Sequence, residues 1–290
     1  MSLYPSYARP RSLQQAVDLL SGLQGGVVVI AGGQEILPSV NYGVLMPDVY
    51  VDIGGIEELI GISSVGDELV MGALTVHRDI QGHADVQRLA PLLAQSVSAM
   101  GGGWQVHNRG TIGGNIVAMH PLYDIAPSLL ALQADIELID AAGTRRLSFA
   151  DLLADSSHGL GTKAILTRVF VTASPQSSWG YYKLKNTSGA YGSANAAAVL
   201  ETEGEILTAI RVVIGAAADQ LTLVSDALAG LTGAAYDAAA GAEIERICAQ
   251  AIGTPLSDHQ GDGTWRRAMA GVVARRAVEA ALLPATGPDS

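Results

Sequence analysis

Leu13, Ala16, Val17 and Leu20 fall at i, i+3, i+4 and i+7, the spacing that lays one apolar stripe along a helix. Ser12 stands before that stripe and Gln15 three residues later, which completes a capping box, and Gly22 ends the pattern. Next comes Val27–Ile30, a continuous β-branched run that predicts a strand buried on both faces. It runs into Gly32-Gly33. Residues 36–42 predict a short turn or helix, and residues 49–53 a second buried strand. Strand, glycine turn, connection and strand together predict a small parallel α/β lobe.

From Gly54 the pattern changes. Residues 59–62 and 68–73 predict two short strands joined by a hairpin turn at 63–67. Residues 76–81 open a helix. Residues 89–100 form an apolar helix with Pro91 near its start, where proline is tolerated. Residues 104–109 lead into a glycine turn at 109–115, followed by an apolar helix over 116–132. Residues 134–140 alternate and predict a half-exposed strand, 145–148 return from a turn, 149–153 form a short helix and 164–172 another strand. Ser174-Pro175-Gln176-Ser177-Ser178 is linker-like. Beyond it lie three strand-like runs (179–185, 194–201, 206–214), then helical patterns over 216–231, 234–251 and 265–283, and a tail from 284 with the composition of a disordered end. The predicted fold class is α+β: a small parallel α/β lobe (1–54), a larger antiparallel α+β lobe (55–176), and a C-terminal domain (177–290) of a three-stranded sheet with helices.

Composition sharpens this. The 290 residues are 49% hydrophobic and 16% charged, enough for a substantial core, while aromatics make up 5% and glycines number 34. Small residues therefore carry much of the packing. A net charge of −11 argues against nucleic acid or an anionic membrane as partner. The lone Cys248 supplies neither an internal disulfide nor an iron–sulfur ligand set, and its helical surroundings predict a small buried residue. Residues 1–10 lack a basic segment followed by an apolar core, and no run approaches a membrane span, so a cytoplasmic protein is expected.

The candidate chemistry sits in two glycine turns. One is Ala31-Gly32-Gly33-Gln34-Glu35-Ile36-Leu37-Pro38, the other Arg109-Gly110-Thr111-Ile112-Gly113-Gly114-Asn115. Adjacent glycines allow left-handed backbone and let N–H groups come close to a ligand, and successive N–H groups form a concave anion site. Either pair alone serves equally as a structural turn. The conjunction is more specific, because a two-phosphate ligand needs donors from two directions and Gln34, Thr111 and Asn115 add side-chain donors. Asp124 reads either as a helix N-cap or as a carboxylate for a ligand hydroxyl. Tyr181-Tyr182-Lys183-Leu184-Lys185 places two lysines on one strand face, to neutralise an anion or simply to face solvent, and Tyr191 is either a ring for a planar ligand or an ordinary half-buried tyrosine.

Other signatures are missing. Neither glycine pair continues into Lys-Ser/Thr, and the pattern at 159–164 follows a helix and precedes a strand, the reverse of a dinucleotide fold. The histidines at 77, 83, 107, 120, 158 and 259 lack metal spacing, and no serine lies in a nucleophile elbow.

Both turns, Asn108 before the second, Asp124 after it, Asp52-Ile53, Gly72-Ala73-Leu74-Thr75, Tyr182-Lys183-Leu184-Lys185 and Met269-Ala270-Gly271 through Arg276 together resemble the FAD-binding medium subunits of the molybdenum hydroxylases, the xanthine dehydrogenase and carbon monoxide dehydrogenase family. The likeness covers nearly the whole chain. It implies that FAD lies between the first two lobes. Val29, Ile30, Ala31, Gly32, Gly33, Gln34, Glu35 and Ile36, with Thr111, Ile112, Gly113, Gly114 and Asn115, would hold the pyrophosphate. Asp124 would bind a ligand hydroxyl, Ile165 and Lys183 would line the site, and Tyr191 would lie against the isoalloxazine. The chain departs from the family at Ala190, where many relatives carry an acid, and at Gln34-Glu35, where Thr or Ser is common. These departures bear on the ring more than on the pyrophosphate.

The resemblance implies no catalytic acid or base here. A large molybdopterin subunit would hydroxylate the substrate, expected to be an N-heterocycle, and a small subunit with two [2Fe–2S] clusters would pass electrons to FAD, in a dimer of heterotrimers. The alternatives are a stand-alone FAD reductase of the sugar-nucleotide type and a scaffold that has lost FAD.

Overall fold

The computed structural model describes residues 5–154, 163–174 and 176–283; His158, most of the 159–164 pattern and the tail from 284 lie outside them. The chain packs as two compact units. One comprises Met1–Asp85, Gly103–Ala118 and Gln133–Thr172, the other Val86–Gly102, Met119–Leu132 and Ala173–Ser290.

In the first unit, β1 (Ser6–Ala8), β2 (Val27–Ile30) and β3 (Val49–Asp52) form a parallel sheet of order β1-β3-β2. Helix Leu13–Gly22 starts at the predicted Ser12 cap, with the Gln15 amide donating to Ser12 Oγ at 3.3 Å, but the Gln15 side chain accepts from the Arg11 amide at 2.9 Å rather than from the Ser12 amide of a capping box. Its Ala16, Val17 and Leu20 pack with Val51, Ile53, Ile56 and Leu59. The expectation that Val27–Ile30 is buried on both faces fails: β2 is an edge strand and all four residues are half-buried. The central position belongs to β3, and a β-branched run reads the same in either place.

A second, antiparallel sheet has the order β4-β5-β8-β6-β7, from β4 (Ile62–Val65), β5 (Glu68–Gly72), β6 (Asp135–Asp140), β7 (Gly143–Ser148) and β8 (Ile165–Thr172). Its first hairpin is displaced from the expected place. The strand begins at Ile62, where the expected one ended, because Leu59 is the buried residue of a 3-10 turn; the hairpin turns at Gly66-Asp67, with Gly66 at φ 59°. The single helix expected over 116–132 is two, Ile112–Ala118 and Ile125–Ala131. Met119 between them has φ 45°, a left-handed conformation that ends a right-handed helix. Helices at Ala84–Leu89 and Gly103–Arg109 were not expected.

In the second unit, β9 (Ser177–Leu184), β10 (Ala194–Glu203), β11 (Ile206–Gly215) and β12 (Thr222–Leu223) form an antiparallel sheet of order β12-β11-β10-β9. The sheet thus has four strands where three were expected. Residues 216–231 are not one helix either: they hold β12, a short helix at Ser225–Leu228 and a 3-10 turn, and Ala216 opens the stretch at φ 59°. Helices Ala238–Ala251 and Gly263–Leu282 begin at Asp237 and Asp262, whose side chains accept from the amides of Ala240 and Trp265 at 2.8 Å each. The core beneath them is made of small residues, among them Ala194, Ala196, Ala198, Ala270, Ala274 and Ala277. A Cβ on Gly180 would meet Ala277 O at 2.1 Å, so the last helix rests on the bare backbone of β9. Arg266 is fully buried and donates to Ser193 O at 2.7 Å and Asp258 Oδ1 at 2.6 Å, tying the start of β10 to the loop before the last helix.

Candidate functional site

Within the first unit the two glycine turns meet. Val29 and Ile30 end β2 and deliver the chain through Ala31 into Gly32. A Cβ on Gly32 would lie 1.9 Å from Arg109 O and 3.2 Å from Gly110 Cα, so the turns touch main chain to main chain. Gly33 takes φ 73°, and its carbonyl accepts from the Leu37 amide at 3.1 Å as helix Ile36–Asn41 begins. Glu35 stands at the N-cap position without a side-chain cap bond; its carbonyl accepts from the Ser39 amide and hydroxyl.

The second turn differs from its expected character. Gly113 and Gly114 are helical, and neither has positive φ. Gly113 is required by close approach instead, since its Cβ would fall 2.7 Å from Ala73 Cβ. The amides of this turn are already engaged: Ile112 donates to Thr75 O at 3.0 Å, Gly113 to Ala73 O at 2.8 Å, Gly114 to Thr111 Oγ1 at 3.1 Å and Asn115 to Thr111 O at 3.0 Å. In the first turn, the amides of Gly32, Gly33 and Gln34 donate to no acceptor among the described residues.

The residues present suit an anion bearing hydroxyls. Three open amides in succession suit phosphate oxygens. The Thr111 hydroxyl accepts from Gly114 and keeps its own proton to donate. Asn115 Oδ1 is buried without a partner, which suits a ligand hydroxyl. His77 supports the second turn: its amide donates to Gly110 O at 3.1 Å, and a Cβ on Gly110 would touch its imidazole at 2.8 Å. Burial, with the charge of His107 adding to it, pushes the His77 pKa down to about 4. Ile165 is 3% exposed in the core with Ala16 and Val51, against which Val29 and Ala31 of the first turn also pack.

In the second unit, Asp124 and Lys183 pair with each other. Lys183 Nζ lies 2.8 Å from Asp124 Oδ2, with both side chains almost wholly buried, and also donates to Ala99 O at 3.2 Å. Tyr181 donates its hydroxyl to Asp124 Oδ1 at 2.6 Å, and Asn195 Nδ2 donates to the same oxygen at 3.3 Å. Burial pushes the Asp124 carboxyl up, against the pull of Lys183, Tyr181 and Asn195. Burial and the adjacent carboxylate push the Tyr181 hydroxyl well up. Asp124 occupies a helix N-cap position but caps nothing. The reading of Lys183 and Lys185 as one solvent-facing pair fails, because Lys183 is buried against Asp124 while Lys185 donates to Ser188 O at 3.4 Å.

Tyr181 and Asn195 escaped the sequence reading. A signal for Tyr181 existed, since it stands two residues from Lys183 on the same face of β9. Asn195 is opposite Lys183 across the β9–β10 pairing, which only the register reveals.

Tyr191 lies in the loop between β9 and β10 and is 47% exposed. His120 and Tyr123, from the loop between the two short helices, stack against it at centroid distances of 5.5 and 6.1 Å, and against each other at 4.8 Å.

Residues 3–173 match the FAD binding domain in molybdopterin dehydrogenase, and residues 179–281 the CO dehydrogenase flavoprotein C-terminal domain. The carbon monoxide dehydrogenase medium chain of Hydrogenophaga pseudoflava is 32% identical over 95% of this chain and 96% of its own. The nicotine 6-hydroxylase medium subunit of Paenarthrobacter nicotinovorans is 29% identical over 94% and 95%. Among solved structures, quinoline 2-oxidoreductase from Pseudomonas putida 86 superposes with a TM-score of 0.87 at 26% identity, covering 97% of this chain and 98% of that one. With more than half its length matched by the flavin-domain family, the chain belongs to the FAD-binding medium subunits of the molybdenum hydroxylases.

Proposed function

We propose that this chain holds FAD for a molybdenum hydroxylase complex, with Gly32, Gly33 and Gln34 as the main-chain donors to the pyrophosphate. The observation that carries this is the junction of the two glycine turns, which leaves three consecutive amides open in a chain of net charge −11. Their local dipoles, not a general positive field, attract the phosphates. Thr111 donates its hydroxyl, and Asn115 Oδ1 accepts from a ligand hydroxyl. Val29, Ile30, Ala31, Glu35 and Ile36 shape the first turn, and Ile112, Gly113 and Gly114 the second. Ile165 backs the core behind them.

Asp124 and Lys183 close on each other as a charge-balanced pair that braces the chain, and Tyr191 offers a ring face to the flavin. Bound FAD supplies a carrier that takes electrons singly and releases them in pairs. The chain itself supplies binding and orientation and no acid–base step. Nor does it supply a cluster ligand: Cys248 is fully buried, and burial pushes its thiol up to about 12.

On this reading the partners are a large molybdopterin subunit and a small subunit with two [2Fe–2S] clusters, assembled in the cytoplasm as a dimer of heterotrimers. The partner's substrate is an N-heterocycle, a class supported by the nicotine and quinoline enzymes among the relatives. The division into 1–54, 55–176 and 177–290 belongs to the same proposal.

Co-expression with the neighbouring reading frames tests it. The expected product is a yellow complex releasing one FAD per chain on acid extraction, with iron and molybdenum. In Gly32→Ala the new methyl meets a carbonyl that cannot move aside, and FAD content should fall below a tenth of wild type. Gly82→Ala serves as control, because Gly82 has open space around it and no positive φ, and should keep full FAD. A colourless complex would refute the reading, and a yellow monomer active with a pyridine nucleotide would replace it with the stand-alone reductase.

A further inference from the structure

We propose that Trp104 and Arg78 form a stacking platform for a dissociable nucleotide, separate from the FAD held at the glycine junction; the inference goes beyond the FAD reading above. Both residues belong to the first unit. Trp104 is 75% exposed on helix Gly103–Arg109, none of whose residues is buried. The Arg78 guanidinium, on helix His77–Gly82, lies over the indole at 5.2 Å from its centroid. A cation therefore takes one face of the ring, and the exposure leaves the other open. The pair is braced. Arg78 Nη1 donates to Asn108 Oδ1 at 3.0 Å, and Asn108 Nδ2 donates to Trp104 O at 2.7 Å. The Gly110 amide closes the tryptophan's helix on Val106 O at 2.8 Å, and the His77 amide donates to Gly110 O at 3.1 Å. The two helices that carry Trp104 and Arg78 are thus tied together at one end.

Charge and surroundings choose the ligand. No Asp or Glu occurs from Val86 to Tyr123, in a chain that has 28. Asp79, next to Arg78 in the chain, sits about 100° round its helix. Arg109, exposed at the far end of the tryptophan's helix, adds a second cation. An anion is therefore accepted here despite the net charge of −11. Nucleic acid would need a long basic track, which two arginines do not make. A protein partner fits less well, because a tryptophan hot spot sits among contacts that exclude water, whereas Trp104 shares its helix with Gln105, His107, Asn108 and Arg109. A nucleotide satisfies both halves of the platform. Its base stacks on the open indole face, and its phosphates meet the guanidinium donors that Asn108 leaves over. The helix runs directly into the second glycine turn, so the platform lies about 8 Å along its axis from Arg109.

The test uses the FAD-loaded, co-expressed complex with ADP as the probe, and reads binding by calorimetry and by quenching of tryptophan emission. ADP should bind and leave the FAD in place. Trp104→Ala should weaken ADP by about tenfold to a hundredfold, the effect of removing one base–aromatic stack, while FAD content and the urea midpoint stay near wild type. Trp104→Phe keeps a ring and should recover most of the affinity. Arg78→Gln should weaken ADP more than adenosine, because only ADP carries phosphates. No ADP binding to the wild-type complex, or equal binding by Trp104→Ala, would overturn the inference. So would ADP that displaces FAD, since the site would then be the cofactor's own. A Trp104→Ala chain that no longer assembles with its partners would overturn it in favour of a subunit contact. A wild-type complex without FAD would instead overturn the functional reading, and dependence of ADP binding on Trp104 would then be read on that complex.

Discussion

The glycine junction of the first unit and the Asp124 network of the second are built by opposite means. At the junction the contacts are main chain on main chain, Gly32 against Arg109 and Gly113 against Ala73, and what remains outward is a run of unengaged amides. In the network the contacts are side chain on side chain: Asp124, Lys183, Tyr181 and Asn195 close on one another out of water. The first arrangement leaves hydrogen-bonding capacity open and suits a ligand. The second uses its capacity internally and suits a scaffold. Charge alone would rank them the other way, since the network holds a formal ion pair and the junction none. An anion is better served by preorganised dipoles than by a lysine whose charge is already balanced.

The largest test of that contrast is to break the buried pair. Lys183→Met leaves Asp124 in a dry site without its cation, and removing one partner of such a pair costs about 3–5 kcal/mol. A urea denaturation midpoint should fall accordingly. Replacing both, Asp124→Leu with Lys183→Met, should recover most of the loss, because the pair's own desolvation cost disappears with it. A single variant as stable as wild type would show that the pair is neither buried nor closed.

The junction has its own titrating support. His77 is 2% exposed, and its pKa stands at about 4 against an ordinary 6.5. A depressed histidine means the unfolded chain binds more protons than the folded one between those values. Stability is therefore full above about pH 6.5 and is lost as pH falls toward 4, by about 3 kcal/mol in all. The charged form has no relief, since Nδ1 has no partner where it is buried. Urea midpoints across that window should slope for wild type and flatten for His77→Gln. An equal slope in the variant would assign the acid sensitivity elsewhere.

The junction was legible in the sequence because close main-chain approaches need residues without side chains, so Gly32-Gly33 and Gly113-Gly114 could be found in one dimension. What glycine spacing could not show is why each glycine is there. Gly33 uses its left-handed freedom, whereas Gly32 and Gly113 are bare because another backbone or a methyl passes within 3 Å. The network was not legible, because its members come from residues 124, 181, 183 and 195 and meet only through strand register. The break at Met119 was hidden for a related reason. Residues 116–118 and 125–132 are almost all apolar, and nothing local says that the chain spends a strained residue to turn between them. The misplaced strand at 59–62 shows the same limit, since a core-facing turn and a short strand have one apolar signature.

The smallest test separates donor from packing at the junction. Thr111 is 5% exposed, and its Oγ1 accepts from the Gly114 amide at 3.1 Å. Thr111→Val keeps the volume and removes the oxygen, and the Gly114 amide turns to water because Gly114 is exposed. The stability cost should therefore be about 1 kcal/mol, the low end for a broken hydrogen bond. On the proposed reading the hydroxyl proton also serves the phosphate, so FAD retention should fall by about tenfold. Thr111→Ser restores the oxygen and should recover FAD binding even if it loses some packing. If the valine variant held FAD as tightly as wild type, the amides of Gly32, Gly33 and Gln34 would suffice, and the second turn would act only by shape.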